Sequence, residues 1–319
     1  MLFGLRFDLR NPAFSGVAMA DRYRALLEMA EWADQRGCLY LSLSEHHGSE
    51  DGYLPSPLTM AAAVAARTTN VRIGINAIPA PFYDPLRLAE DAAVVDLISG
   101  GRLDLTVAGG YVQSEFDMLG LAPSARPARV RETIETLRAA WSGEPFEYRG
   151  RMVQVTPRPA QRPGPTILLG GSSEAAARRA ARLADGFIPS EPGWWVPYRD
   201  ECLALGKPDP GPGMAATAAT VVLAKDPDAA WPILGPYFLH ETNSYGAWKT
   251  EAGAASPYSA MVDVAEVRAS GQYRILTPEA YAAELAASEM PFAMLHPMVG
   301  GIPPELAWES LRLFEAGCL

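Results

Sequence analysis

Two adjacent histidines, His46 and His47, stand in the polar run from Ser44 to Pro57 (Ser-Glu-His-His-Gly-Ser-Glu-Asp-Gly-Tyr-Leu-Pro-Ser-Pro), directly after the apolar segment Leu39 to Leu43. An imidazole with an ordinary pKa near ~6.5 exchanges protons around neutrality, which suits general acid–base chemistry. Successive side chains point in different directions, so one of the two is expected to face a reacting centre. His46 is assigned that catalytic role; the bland alternative is a pair of hydrogen-bonded groups bracing a loop. Zinc would need three or four ligands at matching His/Cys spacing, and no such spacing is present, so no metal is expected. His240 and His296 are single candidates without a surrounding motif.

Three further clusters could hold a ligand. In Gly170-Gly171-Ser172-Ser173, backbone N–H groups and hydroxyls can converge on a phosphate at the positive end of the following helix. A tight turn with a helix cap explains the same residues equally well. Neither the dinucleotide fingerprint nor the Walker lysine is present. Asn76-Ala77 and Gly109-Gly110-Tyr111 end successive strands, where small side chains let a flat ligand approach the backbone, or simply fit a narrow barrel mouth. Phe82, Tyr83, Trp194, Trp195, Tyr237 and Trp248 fall in predicted loops or irregular helices and could line an apolar pocket or belong to the core.

The elements that must position these residues alternate between strand and helix. Apolar runs at Leu2 to Phe7, Leu39 to Leu43, Val71 to Ala77, Arg102 to Ala108, Thr166 to Leu169, Gly186 to Pro189, Ala216 to Leu223 and Pro291 to His296 read as eight strands. Helical periodicity follows them, for example at 126–141 and from Thr277-Pro278 onward. Parallel strands joined by crossover helices either close or form an open sheet. The expected fold is α/β, a single (β/α)8 TIM-type barrel with insertions, covering 1–319 as one domain. A hairpin insertion is predicted near 144–161, turning at Arg149-Gly150. The poorly patterned stretch 250–274 is a candidate mobile flap.

Composition limits the function classes. The chain has 319 residues, 49% of them hydrophobic and 20% charged, as expected of a folded globular enzyme. A net charge of -10 disfavours nucleic acid and anionic membrane surfaces as partners. The three cysteines are widely spaced, with neither a disulfide framework nor a CxxC pair. No segment reads as a signal peptide or a membrane span, and a cytoplasmic location is expected.

Four pieces together resemble the luciferase-like flavin-dependent monooxygenases, the superfamily of bacterial luciferase and alkanesulfonate monooxygenase. They are the run from Ser44 to Tyr53, Asp84 to Asp91 (Asp-Pro-Leu-Arg-Leu-Ala-Glu-Asp), Leu97 to Asp104 (Leu-Ile-Ser-Gly-Gly-Arg-Leu-Asp), and Gly170 to Ala180. The resemblance implies a barrel holding reduced FMN at the carboxyl ends of its strands, with the phosphate near Gly170, Gly171, Ser172 and Ser173. The isoalloxazine would lie against Asn76 and Ala77, joined by a non-proline cis peptide, with Gly109, Gly110 and Tyr111 on its other flank. His46 corresponds to the histidine near the reactive flavin edge, and His47 falls among the cofactor-binding residues. The implied reaction uses reduced FMN and O2, through a flavin C4a-peroxide, to oxygenate a small-molecule substrate. With no NAD(P)H fingerprint, a separate flavin reductase is expected to supply the reduced flavin, and related barrels suggest a homodimer. Two other functions fit the same pieces: hydride transfer by a deazaflavin-dependent reductase or dehydrogenase, and a flavin-binding protein without catalysis.

Overall fold

The computed structural model describes residues 1–213, 219–252, 260–289 and 291–319. Strand and helix alternate from the start: β1 (Leu2–Phe7), α1 (Met19–Asp34), β2 (Tyr40–Leu43), α2 (Pro57–Arg67), β3 (Arg72–Pro79), α3 (Pro85–Ser99) and β4 (Leu103–Ala108). Next come α4 (Gln113–Met118), α5 (Arg126–Trp141), β5 (Phe146–Tyr148), β6 (Arg151–Val153), β7 (Thr166–Gly171), α6 (Glu174–Leu183), β8 (Gly186–Pro189) and α7 (Trp195–Ala204). The last third holds β9 (Thr220–Leu223), α8 (Pro227–Ala252), α9 (Val264–Ser270), β10 (Tyr273–Leu276), α10 (Pro278–Ala287), β11 (Phe292–Leu295) and α11 (Pro304–Cys318).

Seven strands form one curled parallel sheet in the order β11-β1-β2-β3-β4-β7-β8. Its strands are rich in buried apolar residues, such as Phe3, Leu5 and Phe7 on β1 and Leu103, Leu105 and Val107 on β4, as expected when both faces are covered. Local chemistry sets the helix ends. The Asp84 carboxylate caps α3 by accepting from Leu86 N at 2.9 Å and Arg87 N at 3.2 Å, with Pro85 at the first turn. Gly100, at φ +68, closes the same helix in the left-handed conformation that glycine adopts without steric cost. At the end of α1 the Asp34 carboxylate accepts from the backbone N–H groups of Thr69, Asn70 and Val71, fixing the entry into β3.

Three expectations need correction. The strand predicted from Ala216 is described only as β9; residues 214–218 lie outside the described residues. Among the described residues β9 pairs in parallel with β10 and not with the main sheet, so the hydrogen-bonded sheet has seven strands and not the predicted closed eight. The stretch 250–274, read as unpatterned, contains α9, capped by the Asp263 carboxylate, and the start of β10. Seven residues are too few to show helical periodicity, which hid α9. Residues 253–259 of the candidate flap lie outside the described residues. Trp195 also departs from the predicted loop or irregular helix by beginning α7, whereas Trp194 ends the short 3-10 turn before it.

At 144–161, β5 and β6 pair antiparallel, with Tyr148 opposite Arg151 across Arg149-Gly150. Among the described residues no helix is long and apolar enough to cross a membrane.

Close packing within the sheet leaves Gly74 the least room to grow. A Cβ on Gly74 of β3 would fall 1.5 Å from the Tyr40 hydroxyl on β2. Gly74→Ala is expected to destabilise the fold by about 1–3 kcal/mol through overpacking, measured as a lower urea midpoint at unchanged slope.

Candidate active site

The carboxyl ends of β1, β2, β3, β4, β7 and β8, with loops that follow β2, β4, β7 and β8, surround a cavity of about 460 Å³, within the ~300–1,000 Å³ typical of small-molecule sites. His46 lines it, together with Asn76 and Ala77 after β3's centre and Gly109, Gly110 and Tyr111 after β4. Gly170, Gly171 and Ser172 close the side formed by β7. Two predicted site residues, His47 and Ser173, do not line it.

His46 is buried, and its Nδ1 lies 2.8 Å from Glu115 Oε1. A carboxylate can only accept, so Nδ1 carries the proton and Nε2 is left for the cavity side. The Tyr111 hydroxyl lies 3.4 Å from Nε2. Glu115 also accepts the His47 backbone N–H at 2.8 Å, which fixes its carboxylate against the loop. Burial pushes the His46 pKa down, against the opposing pull of Glu115, so the neutral imidazole is favoured. Trp248 lies over the ring with centroids 4.1 Å apart, and Tyr53 meets it edge-on at 4.8 Å.

His47 belongs to a separate pair. Its Nε2 lies 2.8 Å from Glu45 Oε1, which also accepts from the Tyr83 hydroxyl at 2.8 Å. Burial pushes Glu45 up, while the hydrogen bond to Glu45 raises His47.

Beneath these pairs lies Arg10, fully buried. Its Nη1 contacts Asp51 at 2.5 Å and its Nε lies 3.8 Å from Asp8. Its guanidinium carbon lies 4.7 Å from the ring centres of Tyr53, Tyr245 and Trp248. The His240 hydrogen bond and the Arg10 charge hold Asp51 well below the usual carboxylate range, against burial, and His296 and Arg10 hold Asp8 at about 2. His240 Nε2 completes the pairing of Asp51 at 2.8 Å.

His296 is buried between two carboxylates, with Nε2 3.5 Å from Asp8 and Nδ1 3.7 Å from Glu241. Asp8, Glu241 and His296 each offer one ligand atom within 4.8 Å of the others, a buried group that could hold a metal ion, although no metal was expected from the sequence.

On the other side of the cavity, Ser173 caps α6 by accepting from Ala176 N at 3.2 Å, which gives its hydroxyl a structural task. Ser172 and Ser190 line the cavity beside it. The Ser190 hydroxyl oxygen is buried with no hydrogen-bond partner among the described residues, and its backbone N–H reaches Gly171 O at 2.9 Å. The Asn76–Ala77 peptide is cis. Gly110 adopts φ +72, and a Cβ there would already touch Phe116 and Pro79 at 3.4 Å.

A family model described as luciferase-like monooxygenase matches residues 1–296. The chain belongs to this family. It is 33% identical over 152 residues to the oxygenase component of the flavin-dependent trigonelline monooxygenase of Acinetobacter baylyi, a stretch covering 46% of this chain and 42% of that protein. The chain spans about half the length of the curated relatives it matches. The solved monooxygenase RslO1 of Streptomyces bottropensis aligns with this luciferase-like chain at a TM-score of 0.75 and 27% identity, over 99% of this chain and 98% of that one. The oxygenating constituent of 3,6-diketocamphane monooxygenase from Pseudomonas putida, solved with FMN, shares the fold at a TM-score of 0.72 and 19% identity, over 100% and 98%.

Sequence reasoning missed Glu115, Glu45, Arg10, Tyr53 and Tyr245. Glu115 carried a usable signal, since it lies just past the Gly109-Gly110-Tyr111 end of β4, where barrels place functional side chains. Tyr245 lies inside α8 and carried none. Of the predicted aromatics, Trp248 reaches His46 and Tyr83 reaches Glu45, whereas Trp195 packs against Tyr198 and Tyr237 against Phe14.

Removing Arg10 leaves Asp51 and Asp8 as buried carboxylates short of a partner. Arg10→Met is expected to cost about 3–5 kcal/mol, read from chemical denaturation at pH 7. The depressed carboxylates contribute stability above about pH 4 that is lost as pH falls through their folded values, so this gap should narrow in acid.

Proposed function

We propose that the chain is a flavin-dependent monooxygenase that uses reduced FMN and O2 to oxygenate a small organic substrate in this cavity. The observation that carries the reading is the His46–Glu115 pair facing a cavity floored by small residues at the carboxyl edge of a parallel sheet. The residues present fit the cofactor. The unpartnered Ser190 hydroxyl, Ser172 and the N-terminal end of α6 suit a phosphate in an otherwise acidic chain. Gly109 and Gly110, Gly170 and Gly171, and the Asn76–Ala77 segment leave space for a flat ring system. Bound there, reduced FMN supplies the electrons for oxygen activation.

The protein's own part is positioning, proton handling and exclusion of water. Glu115 orients His46, so that Nε2 can accept a proton on the cavity side. Tyr53, Tyr245 and Trp248 wall off that imidazole from the α8 side, limiting the access of water and stray protons. The oxygen-adduct route and the separate flavin reductase implied by the family resemblance belong to this proposal, as does a homodimer.

The decisive experiment is anaerobic titration with reduced FMN and, separately, a reduced deazaflavin, followed by mixing with oxygenated buffer while absorbance is recorded. Reduced-FMN binding followed by a transient oxygenated-flavin spectrum is expected. Selective deazaflavin binding without that transient would assign hydride transfer instead. In the same assay His46→Asn should leave reduced-FMN binding largely intact and lower substrate turnover by about 10²–10⁴-fold; unchanged turnover would remove His46 from the chemistry.

A further inference from the structure

The chemistry assigned to His46 does not use the β1 wall of the cavity, where Arg6 stands. Among the described residues that line the cavity, Arg6 is the single lysine or arginine. Its side chain is 26% exposed, so a molecule in the cavity can meet it. Arg6 Nη2 donates to the Tyr245 hydroxyl at 3.0 Å, and that hydroxyl lies 2.9 Å from the Tyr53 hydroxyl, which fixes the direction of the guanidinium. Behind it, Oε1 of the fully buried Glu241 lies 3.7 Å from Nη2, too far for a hydrogen bond, and balances part of its charge. Ser42, the partner of Arg6 in the β1–β2 register, borders the cavity beside it.

We propose that Arg6 determines specificity by receiving a carboxylate of the substrate, which makes the substrate a small organic acid. The planar fork of guanidinium N–H donors matches the two oxygens of a carboxylate, and a charge-assisted hydrogen bond gains strength where bulk water is displaced. The cofactor phosphate does not compete for this position. The groups suited to it belong to β7, β8 and α6, and β2, β3 and β4 separate β1 from β7 in the sheet. The Glu115 carboxylate disfavours an anion at the His46 end of the cavity, so charge sets which way an acid lies. Tyr245 links the anchor to the reacting group: its hydroxyl accepts from Arg6, and its ring centre lies 6.1 Å from that of His46. A substrate held at Arg6 therefore turns its remaining atoms toward His46. The inference rests on the cavity being the reaction site proposed above and names the class of molecule that site takes.

The test compares acids with amides of the same shape, acetate with acetamide and benzoate with benzamide, by calorimetric titration of the full chain with and without FMN. The wild-type chain should bind at least one acid about 10–10²-fold more tightly than its amide. Arg6→Met should abolish that preference while leaving the affinity for the amide and the anaerobic binding of reduced FMN unchanged. Arg6→Lys, which keeps the charge and loses the fork, should retain part of the preference. No preference for the acid in either pair would overturn the assignment in the wild-type chain alone, before any variant is made. A preference that survives in Arg6→Met would overturn it too, and so would the loss of reduced-FMN binding in that variant, which would give Arg6 to the cofactor. Failure of the wild-type chain to bind reduced FMN would instead overturn the flavin reading, and the acid–amide comparison in the flavin-free chain reports on Arg6 independently of it.

Discussion

A single buried guanidinium organises the cavity end of this protein. Arg10 has no exposed side-chain surface, and a charge in that position is tolerable only when paired and surrounded by groups that stabilise it. Asp51 and Asp8 supply the countercharge, and the faces of Tyr53, Tyr245 and Trp248 supply cation–π contacts from three sides. These partners come from three separate parts of the chain: the end of β1, the loop after β2, and α8. Holding Arg10 therefore fixes where α8 sits, and α8 in turn lays Trp248 over His46.

From that constraint follows an asymmetric cavity. The side built by β2, β4 and α8 is aromatic and crowded with buried titratable groups, two of them carboxylates that hold a histidine. Glu115 settles the tautomer of His46, while Glu45 settles that of His47. The side built by β7, β8 and α6 carries glycines, hydroxyls and a helix N-terminus. An acidic chain can receive an anion there because backbone dipoles, unlike a lysine or arginine, add no formal charge.

The sheet shows how far periodicity carries. The strands β1 to β4 follow clear apolar runs ended by Gly or Pro, and the repeated spacing of crossover helices made a parallel α/β fold readable. The same reasoning counted the strand before α8 as one more barrel stave, but β9 pairs with β10. Strand partnership depends on which edge is free in space, and a run such as Thr220 to Leu223 looks the same in either pairing. The short helices α4 and α9 were missed because six or seven residues complete too few turns to reveal a face.

The sequence alone determined the fold class, the positions of most strands, the family, and the loops that surround the cavity, because these depend on local apolar spacing, Gly/Pro punctuation and short motifs. It also drew attention to His46 and His47 as residues able to move protons. Tertiary structure alone decided their partners: Glu115 lies 69 residues from His46, and His240 lies 189 residues from Asp51. Burial and long-range contact set hydrogen-bond geometry and charge, and neither is written in the spacing of neighbouring residues. The same holds for Arg10, whose place beneath the site exists only once the ends of β1, β2 and α8 have met.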